Sequence, residues 1–356
     1  MKKTIMTIGP TAVPDRVIRA MDVNLLNHRS EAYRQIHREV VTNMQKVFHT
    51  KNDIYTIVGS ATASMEASIA NCFSAGDEIV ATSIGVFSEQ FAKQAEAYGL
   101  KVKRVTQPPG EATDLDAIMA AITPNTKGVL IIHNESGSGV MNDLEAFGKE
   151  LKDRDLLYIV DSVSAAGAVP TMMDEWGIDI LLTGSQKAMM CPPGLSFLAL
   201  SEKAHEAAKT STLPKYYLSL DLYSKFSKKS ETPNTAATYH LLAAREALRM
   251  ITDEGIDAVY ARHEFCHQRL KKGIEDLGLR LYPKDPKTLS RTVNAVYAKG
   301  KASEIIKRLA YKNVIVNSGL GDLAEDIIRV GTMGYVYEHD VDVFLAALEQ
   351  VLAEMK

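Results

Sequence analysis

The sequence is short of the features that would put it in a specialised class. Only three of its 356 residues are cysteine, Cys72, Cys191 and Cys266. They are odd in number and widely spaced, which argues against a disulfide framework and fits a reducing compartment. Neither sign of charge dominates: 41 Lys and Arg stand against 44 Asp and Glu, a formal net charge of -3. No strongly basic face is required, so nucleic acid is not an expected partner. No apolar run is long enough to span a bilayer. The stretch from Met1 to Pro10 holds two lysines, but its apolar run is too short for a secretory leader. Internal repeats and low-complexity segments are also missing. The expectation is a soluble, cytoplasmic chain with no membrane or nucleic-acid partner.

What is present is ordinary globular composition, 46% hydrophobic and 24% charged, enough for one large domain and a smaller one. Strand-length apolar runs and helical patterns alternate from Ile54 to Leu200. A helix fits Glu31 to Phe48, with Ile36, Val40, Met44 and Val47 on one face. Strands fit Ile54–Val58, Glu78–Thr82, Lys101–Val105 and Gly128–Ile132, with helices between them. Such alternation predicts an α/β domain whose largely parallel sheet is covered on both faces. Beyond a long helical pattern, Ala236 to Thr252, strict alternation stops. The spacing predicts a large domain over residues 1–252, including an irregular N-terminal segment, and a smaller α+β domain over 253–356.

The stretch from Leu156 to Pro193 carries the strongest chemical signal. Two apolar runs, separated by what reads as a short helical passage, each end in a charge: Asp161 after the first, Lys187 after the second. Ligands of open α/β sheets bind where strand carboxyl ends meet loops. Lys187 is followed by the uncharged run Ala188 to Gly194, and a desolvated lysine has a lowered pKa and becomes nucleophilic. Asp161 has a plainer account, as a carboxylate capping the turn after its strand. Together, the two fit a site in which the lysine holds an aldehyde cofactor as an imine and the aspartate keeps the cofactor's ring nitrogen protonated. Gly59-Ser60-Ala61-Thr62 ends a strand and opens a helix, where backbone N–H groups favour a phosphate. A simple Ser or Thr N-cap would explain the same residues.

Two other motifs compete. His263-Glu264-Phe265-Cys266-His267 matches a zinc-hydrolase pattern on a helix, but no third ligand follows at a recognised spacing. The expectation there is two solvated histidines on a charged helix, and no metal. Gly137-Ser138-Gly139 lacks the third glycine of a dinucleotide fingerprint.

These motifs, in this order, resemble the class V (fold-type I) pyridoxal-phosphate aminotransferases, near the alanine–glyoxylate and serine–pyruvate enzymes. The resemblance rests on Gly9-Pro10, Gly59-Ser60-Ala61-Thr62, Gly85-Val86-Phe87, His133 to Gly139, Asp161-Ser162-Val163-Ser164, Gly184-Ser185-Gln186-Lys187, Pro192-Pro193-Gly194, Thr232-Pro233-Asn234-Thr235 and Ile328-Arg329-Val330-Gly331. It implies a mostly parallel seven-stranded sheet with helices on both faces, plus a smaller C-terminal α+β domain.

The resemblance also implies pyridoxal 5'-phosphate on Lys187, with Asp161 at its ring nitrogen and Val163 and Phe87 on its two faces. Ser60, Ala61, Thr62 and Gln186 would hold the phosphate, with Thr235 reaching in from the partner of a homodimer whose sites are shared. Ser136 would meet the ring hydroxyl, and Arg329, with Gly9 nearby, the substrate carboxylate. The implied reaction moves an amino group from alanine or serine to glyoxylate or pyruvate. A dicarboxylate specialist is the alternative, with Arg29 as a second cation. The same fold-type serves cysteine desulfurases, kynureninases and a subunit associated with soluble hydrogenases, so a non-catalytic cofactor-binding subunit is a further alternative. No cysteine lies between Asn317 and Glu325, where a desulfurase nucleophile would be expected.

Overall fold

Strands that are apolar on both alternate sets of residues must be covered on both faces, and six of them form one sheet with a more polar edge strand, Lys101–Thr106. They are β1 (Asp53–Val58), β2 (Glu78–Ser83), β3 (Lys101–Thr106), β4 (Thr126–Ile132), β5 (Leu157–Asp161), β6 (Ile180–Gly184) and β7 (Leu195–Leu200). The order across the sheet is β1-β7-β6-β5-β4-β2-β3. This computed structural model describes residues 3–24 and 26–356; Met1 and Lys2 of the stretch weighed as a leader, and Leu25, lie outside the described residues.

The sheet is parallel except at β7, which runs antiparallel to both β1 and β6. The physical reason lies in the connection. A parallel return needs a crossover of a dozen or more residues, usually a helix, and the chain from Gly184 to Leu195 contains none. The passage between β5 and β6 also differs from expectation. It holds no helix but a series of turns, with Gly167 at φ +84° and Pro170 both interrupting any helical path.

Residue parity assigns the two faces. Val129, Ile131, Tyr158, Val160 and Leu181 pack against α1 (Glu31–Val47) and α4 (Thr238–Glu254). Ser30 caps α1 by accepting from the Tyr33 N–H at 3.3 Å, and the predicted face of Ile36, Val40, Met44 and Val47 is buried. Leu130, Leu157, Ile159, Ile180 and Leu182 pack against α2 (Ala61–Cys72) and α3 (Val86–Ala97). Asp161 shares the parity of Leu157 and Ile159, so it belongs to the face whose helices begin at Ser60–Thr62 and Val86–Phe87.

A second, four-stranded antiparallel sheet follows, from β8 (Arg280–Leu281), β9 (Val293–Tyr297), β10 (Asn317–Ser318) and β11 (Ile327–Gly331), in the order β8-β9-β11-β10. Helices α5 (Ile256–Asp276), α6 (Ala302–Tyr311) and α7 (Glu338–Glu354) build a separate core with it, including Leu270, Val296, Ile305, Ile328 and Phe344. Thr4–Ile5 pairs in parallel with Val314–Ile315, and Met6 enters this same core. The N-terminal segment therefore starts on the second unit and then runs to the first.

His263 and His267 are not solvated, as the sequence led us to expect: they are 2% and 0% exposed. They fall on the inward stripe of α5, with Val259, Cys266, Leu270 and Ile274. The Gly334 N–H donates to His263 Nε2 at 3.0 Å, so Nδ1 carries the proton and donates to the Val259 carbonyl at 2.7 Å. His267 Nδ1 lies 2.7 Å from Asn294 Oδ1. Burial pulls the two rings down to about 3 and about 4, which keeps them neutral. No cluster of three potential metal-ligating side chains occurs among the described residues. These histidines pin α5 to the second sheet. His263→Ala should strand the Gly334 N–H beside a cavity, costing roughly 2–4 kcal/mol in urea denaturation, while a chelator leaves the wild-type midpoint in place. A midpoint unchanged by the substitution would refute this role.

Candidate active site

Asp161 closes β5, and Lys187 stands three residues beyond the end of its parallel neighbour β6. Both line one cavity of about 300 Å³, together with Gly9, Ser60, Ala61, Thr62, Phe87, Ser136, Val163 and Gln186. The fold thus brings ten of the twelve expected site residues together. Arg329 and Thr235 are not among the lining residues. Arg329, on β11, is buried at the margin and donates through Nη1 to the Ser136 carbonyl at 3.0 Å and through Nε to the Ser318 carbonyl at 2.6 Å. Thr235 is exposed on its own protomer.

The lysine is out of water. Lys187 is 9% exposed, and its Nζ donates to the Ile8 carbonyl at 2.7 Å. The chain can come this close because residue 9 is glycine: a Cβ there would lie 2.5 Å from Nζ, and its φ is +135°. Burial brings Lys187 down to about 8; the Asp161 carboxylate opposes this shift and the Arg329 charge adds to it. Burial likewise pushes Asp161 up to about 7, opposed by the Val163 N–H and reinforced by the charge of Glu135. Asp161 Oδ1 accepts from that N–H at 2.8 Å, so it does cap its turn while also lining the cavity. Arg329 is lowered to about 10 by burial, against the pull of Glu135.

Ser60 occupies the N-cap position of α2, yet its side chain makes no capping hydrogen bond, and the first turn holds no acidic residue. Unsatisfied N–H groups and the helix dipole there face the cavity wall with nothing to neutralise them. The plain N-cap explanation therefore fails, and an anion fits. Gln186 adds a buried Oε1 without a hydrogen-bond partner, and Asn134 another unpartnered Oδ1 on the same cavity wall.

Glu135 was missed in the sequence as a site residue. It is 0% exposed. Its carboxylate accepts from the N–H groups of Phe87 (3.3 Å), Ser88 (3.0 Å) and Gly137 (2.9 Å), and from Ser88 Oγ (3.0 Å). It thereby ties the start of α3, with Phe87, to the loop carrying Ser136. Asn134 Nδ2 donates to Ser164 Oγ at 2.8 Å and to Thr292 Oγ1 at 3.0 Å, linking that loop to the second sheet. The only local signal for these roles was a charged or amide residue following the apolar strand β4. Arg29, the candidate second cation, is engaged elsewhere, on Glu231 at 2.7 Å and the Thr232 carbonyl at 2.9 Å.

A desolvated lysine and a buried carboxylate at adjacent strand ends, beside an uncapped helix N-terminus, define the site of a fold-type I pyridoxal-phosphate enzyme. The model of the family "Aminotransferase class-V" matches residues 6–344, and the chain belongs to that family. It is 36% identical to the soluble hydrogenase small subunit of Synechococcus sp., over 99% of this chain and 94% of that one. It is 32% identical to the serine–glyoxylate aminotransferase of Arabidopsis thaliana, over 98% and 89%. The crystal structure of an alanine–glyoxylate aminotransferase from Nostoc sp. superposes with a TM-score of 0.94 at 30% identity, covering 99% of this chain and 96% of that one. The protein is thus an aminotransferase-family enzyme with pyridoxal 5'-phosphate as its cofactor. The uncapped first turn of α2 fits the phosphate, and Asp161 fits a protonated ring nitrogen, which would supply the countercharge that burial makes necessary.

The protein stripped of cofactor carries a pH signature. Between the ordinary carboxylate value of 3.8 and about 7, folded Asp161 keeps a proton that the unfolded chain has lost, so stability falls as pH rises through that window. Lys187 acts in the opposite sense: between about 8 and 10.5 the unfolded chain binds the extra proton, and stability rises with pH. Asp161→Asn preserves the acceptor for Val163 and should remove the first decline, leaving the cofactor-free variant more stable than wild type at pH 7.5 relative to pH 5. Parallel urea midpoints for the two proteins at both pH values would contradict this.

Proposed function

We propose that the protein transfers an amino group from a small amino acid, alanine or serine, to glyoxylate or pyruvate. The observation that carries this reading is Arg329: a buried guanidinium at the cavity margin, hydrogen-bonded to carbonyls, with no carboxylate at ion-pair distance among the described residues. One such fork suits one α-carboxylate held bidentately. Arg29, the candidate second holder of a dicarboxylate, is engaged by Glu231, which supports the monocarboxylate reading.

The division of labour rests on the resemblance and is supported by the shared cavity wall. Pyridoxal phosphate, when bound, supplies the electron sink for the substrate's α-carbon. Lys187 is the covalent anchor and then the base: at a pKa near 8, its free amine can take the proton from the α-carbon and return one later. Asp161 holds positive charge on the ring nitrogen. Phe87 and Val163 would flank the ring, Ser136 would meet its hydroxyl, and Ser60, Ala61, Thr62 and Gln186 would hold the phosphate. Arg329 orients the substrate, and Gly9 leaves room for Lys187. We propose a cytoplasmic homodimer in which Thr235 serves the partner's site; its exposed position on one protomer supports this. The division at residue 252 is likewise proposed, with Thr4–Met6 packing on the second unit.

Lys187→Ala should lose the visible absorption of the attached cofactor and at least about 1,000-fold in turnover. Arg329→Leu should lower kcat/KM for alanine with glyoxylate by roughly 30- to 100-fold while leaving the absorption band intact. A panel of glyoxylate, pyruvate, oxaloacetate and 2-oxoglutarate decides the substrate; the highest kcat/KM on a dicarboxylate would overturn the preference. An absorbing holoprotein with no transamination would instead favour a non-catalytic subunit.

Shared sites have their own test. Lys187→Ala subunits mixed with Thr235→Val subunits should form heterodimers with one intact site and regain activity that neither parent has. Confirmed subunit exchange without recovery would show each site to be complete in one chain.

A further inference from the structure

Outside the cavity of Lys187 lies a larger one of about 1090 Å³, between α3 and the loop around Leu320. The two share Thr62 and Gln90 in their walls. Val86 and Gly137 of the outer chamber adjoin Phe87 and Ser136 of the inner one. The inner cavity, at about 300 Å³, is at the small end for ligand sites. A ring and its phosphate leave room there for an α-carbon, a carboxylate and a short side chain. A longer side chain has to run outward.

The outer chamber is chemically selective. Ile84, Ala97 and Leu323 give it apolar wall. Two of its polar atoms lack a partner: Gln94 Oε1, an acceptor, and the Ser138 hydroxyl, which can donate or accept, are buried and make no hydrogen bond in the structure. Three carboxylates line it, Glu66, Glu89 and Asp322, against one cation, Lys93. Glu89 is paired with Arg104 at 3.0 Å and has Lys93 at 3.9 Å. Glu66 receives only the Tyr98 hydroxyl, at 3.2 Å, and has no cation at ion-pair distance among the described residues. An ammonium offers donors and no acceptor, and an aliphatic stem suits the apolar wall. An anionic tail would meet Glu66 and Asp322, with only Lys93, exposed and already facing Glu89, to attract it.

We propose that this chamber binds the side chains of amino donors with an aliphatic stem ending in a cation, of the lysine or ornithine type. This rests on the amino-transfer reading above and extends its donor class. The exchange balances without an added oxidant: the donor's α-carbon gives up its amino group and hydrogen and gains the oxo oxygen, and the acceptor's carbonyl carbon undergoes the reverse.

The test measures glycine formed from glyoxylate by the holoenzyme with alanine, norleucine, lysine, ornithine and 2-aminoadipate. Wild type should use lysine or ornithine at least about fivefold better, in kcat/KM, than norleucine, the increment expected of one partly exposed ion pair. The anionic 2-aminoadipate should be poorest. Glu66→Gln should collapse the lysine-to-norleucine ratio toward one and leave alanine unchanged. Leu320→Trp, at a half-buried position on the chamber wall, should weaken every long donor and spare alanine. Norleucine equal to lysine in wild type, a ratio unmoved by Glu66→Gln, or a Leu320→Trp loss shared by alanine would each overturn the proposal while alanine turnover keeps the amino-transfer reading intact. Absence of turnover with every donor would bring down that underlying reading instead.

Discussion

Holding one lysine amine out of water at the end of a buried strand is the constraint around which this structure is arranged. A buried ammonium without compensation is costly, and two partial solutions are combined here. The amine donates to the Ile8 carbonyl, and its pKa is lowered toward neutrality. The first requires the N-terminal segment to lie against the sheet, and hence Gly9 beside Nζ. That segment is held at its far end by Thr4–Ile5 pairing with Val314–Ile315. The second unit is therefore coupled to the lysine mechanically as well as through Arg329. Domain placement, N-terminal path and lysine reactivity are one problem with one solution.

The same reasoning explains which parts of the molecule could be read from the sequence. Lys187 and Asp161 were legible because their signal is local: an apolar run terminated by a charge. The helix faces were legible for the same reason, since Ile36, Val40, Met44 and Val47 repeat at helical spacing. The direction of β7 was not, because it depends on the missing crossover between Gly184 and Leu195 and not on strand pattern. His263 and His267 misled for a related reason. Histidine is common on solvated faces, and what buried these two is their register on the stripe with Val259, Cys266 and Leu270, plus partners at Gly334 and Asn294 that are remote in sequence.

Glu135 shows the limit most clearly. In the sequence it is one residue of a polar loop. In the fold, it satisfies the orphan N–H groups of α3 and organises the loop that presents Ser136 to both the cavity and Arg329. Its hydrogen-bond partners on α3 lie nearly fifty residues earlier, so no window of local pattern could expose it. Its charge also acts at a distance, raising Asp161 and supporting Arg329 in its charged form.

Charge at the cavity and its margin is thereby ordered as two carboxylates and two cations that nearly balance without forming a close pair among themselves. Lys187 meets a carbonyl, Arg329 meets two carbonyls, Asp161 meets one N–H, and Glu135 meets N–H and hydroxyl donors. Had Lys187 and Asp161, or Arg329 and Glu135, collapsed into direct ion pairs, each would be satisfied internally and a ligand would have to break the pair to bind. Neutral dipoles hold them apart instead. Asp161, Lys187 and Arg329 stay buried without an opposite charge at contact, so an incoming ring nitrogen or carboxylate gains a partner without breaking an ion pair. That is electrostatic preorganisation, and it places the folding cost of the site on the loops at Ile8, Ser136 and Ser318, whose carbonyls do the separating.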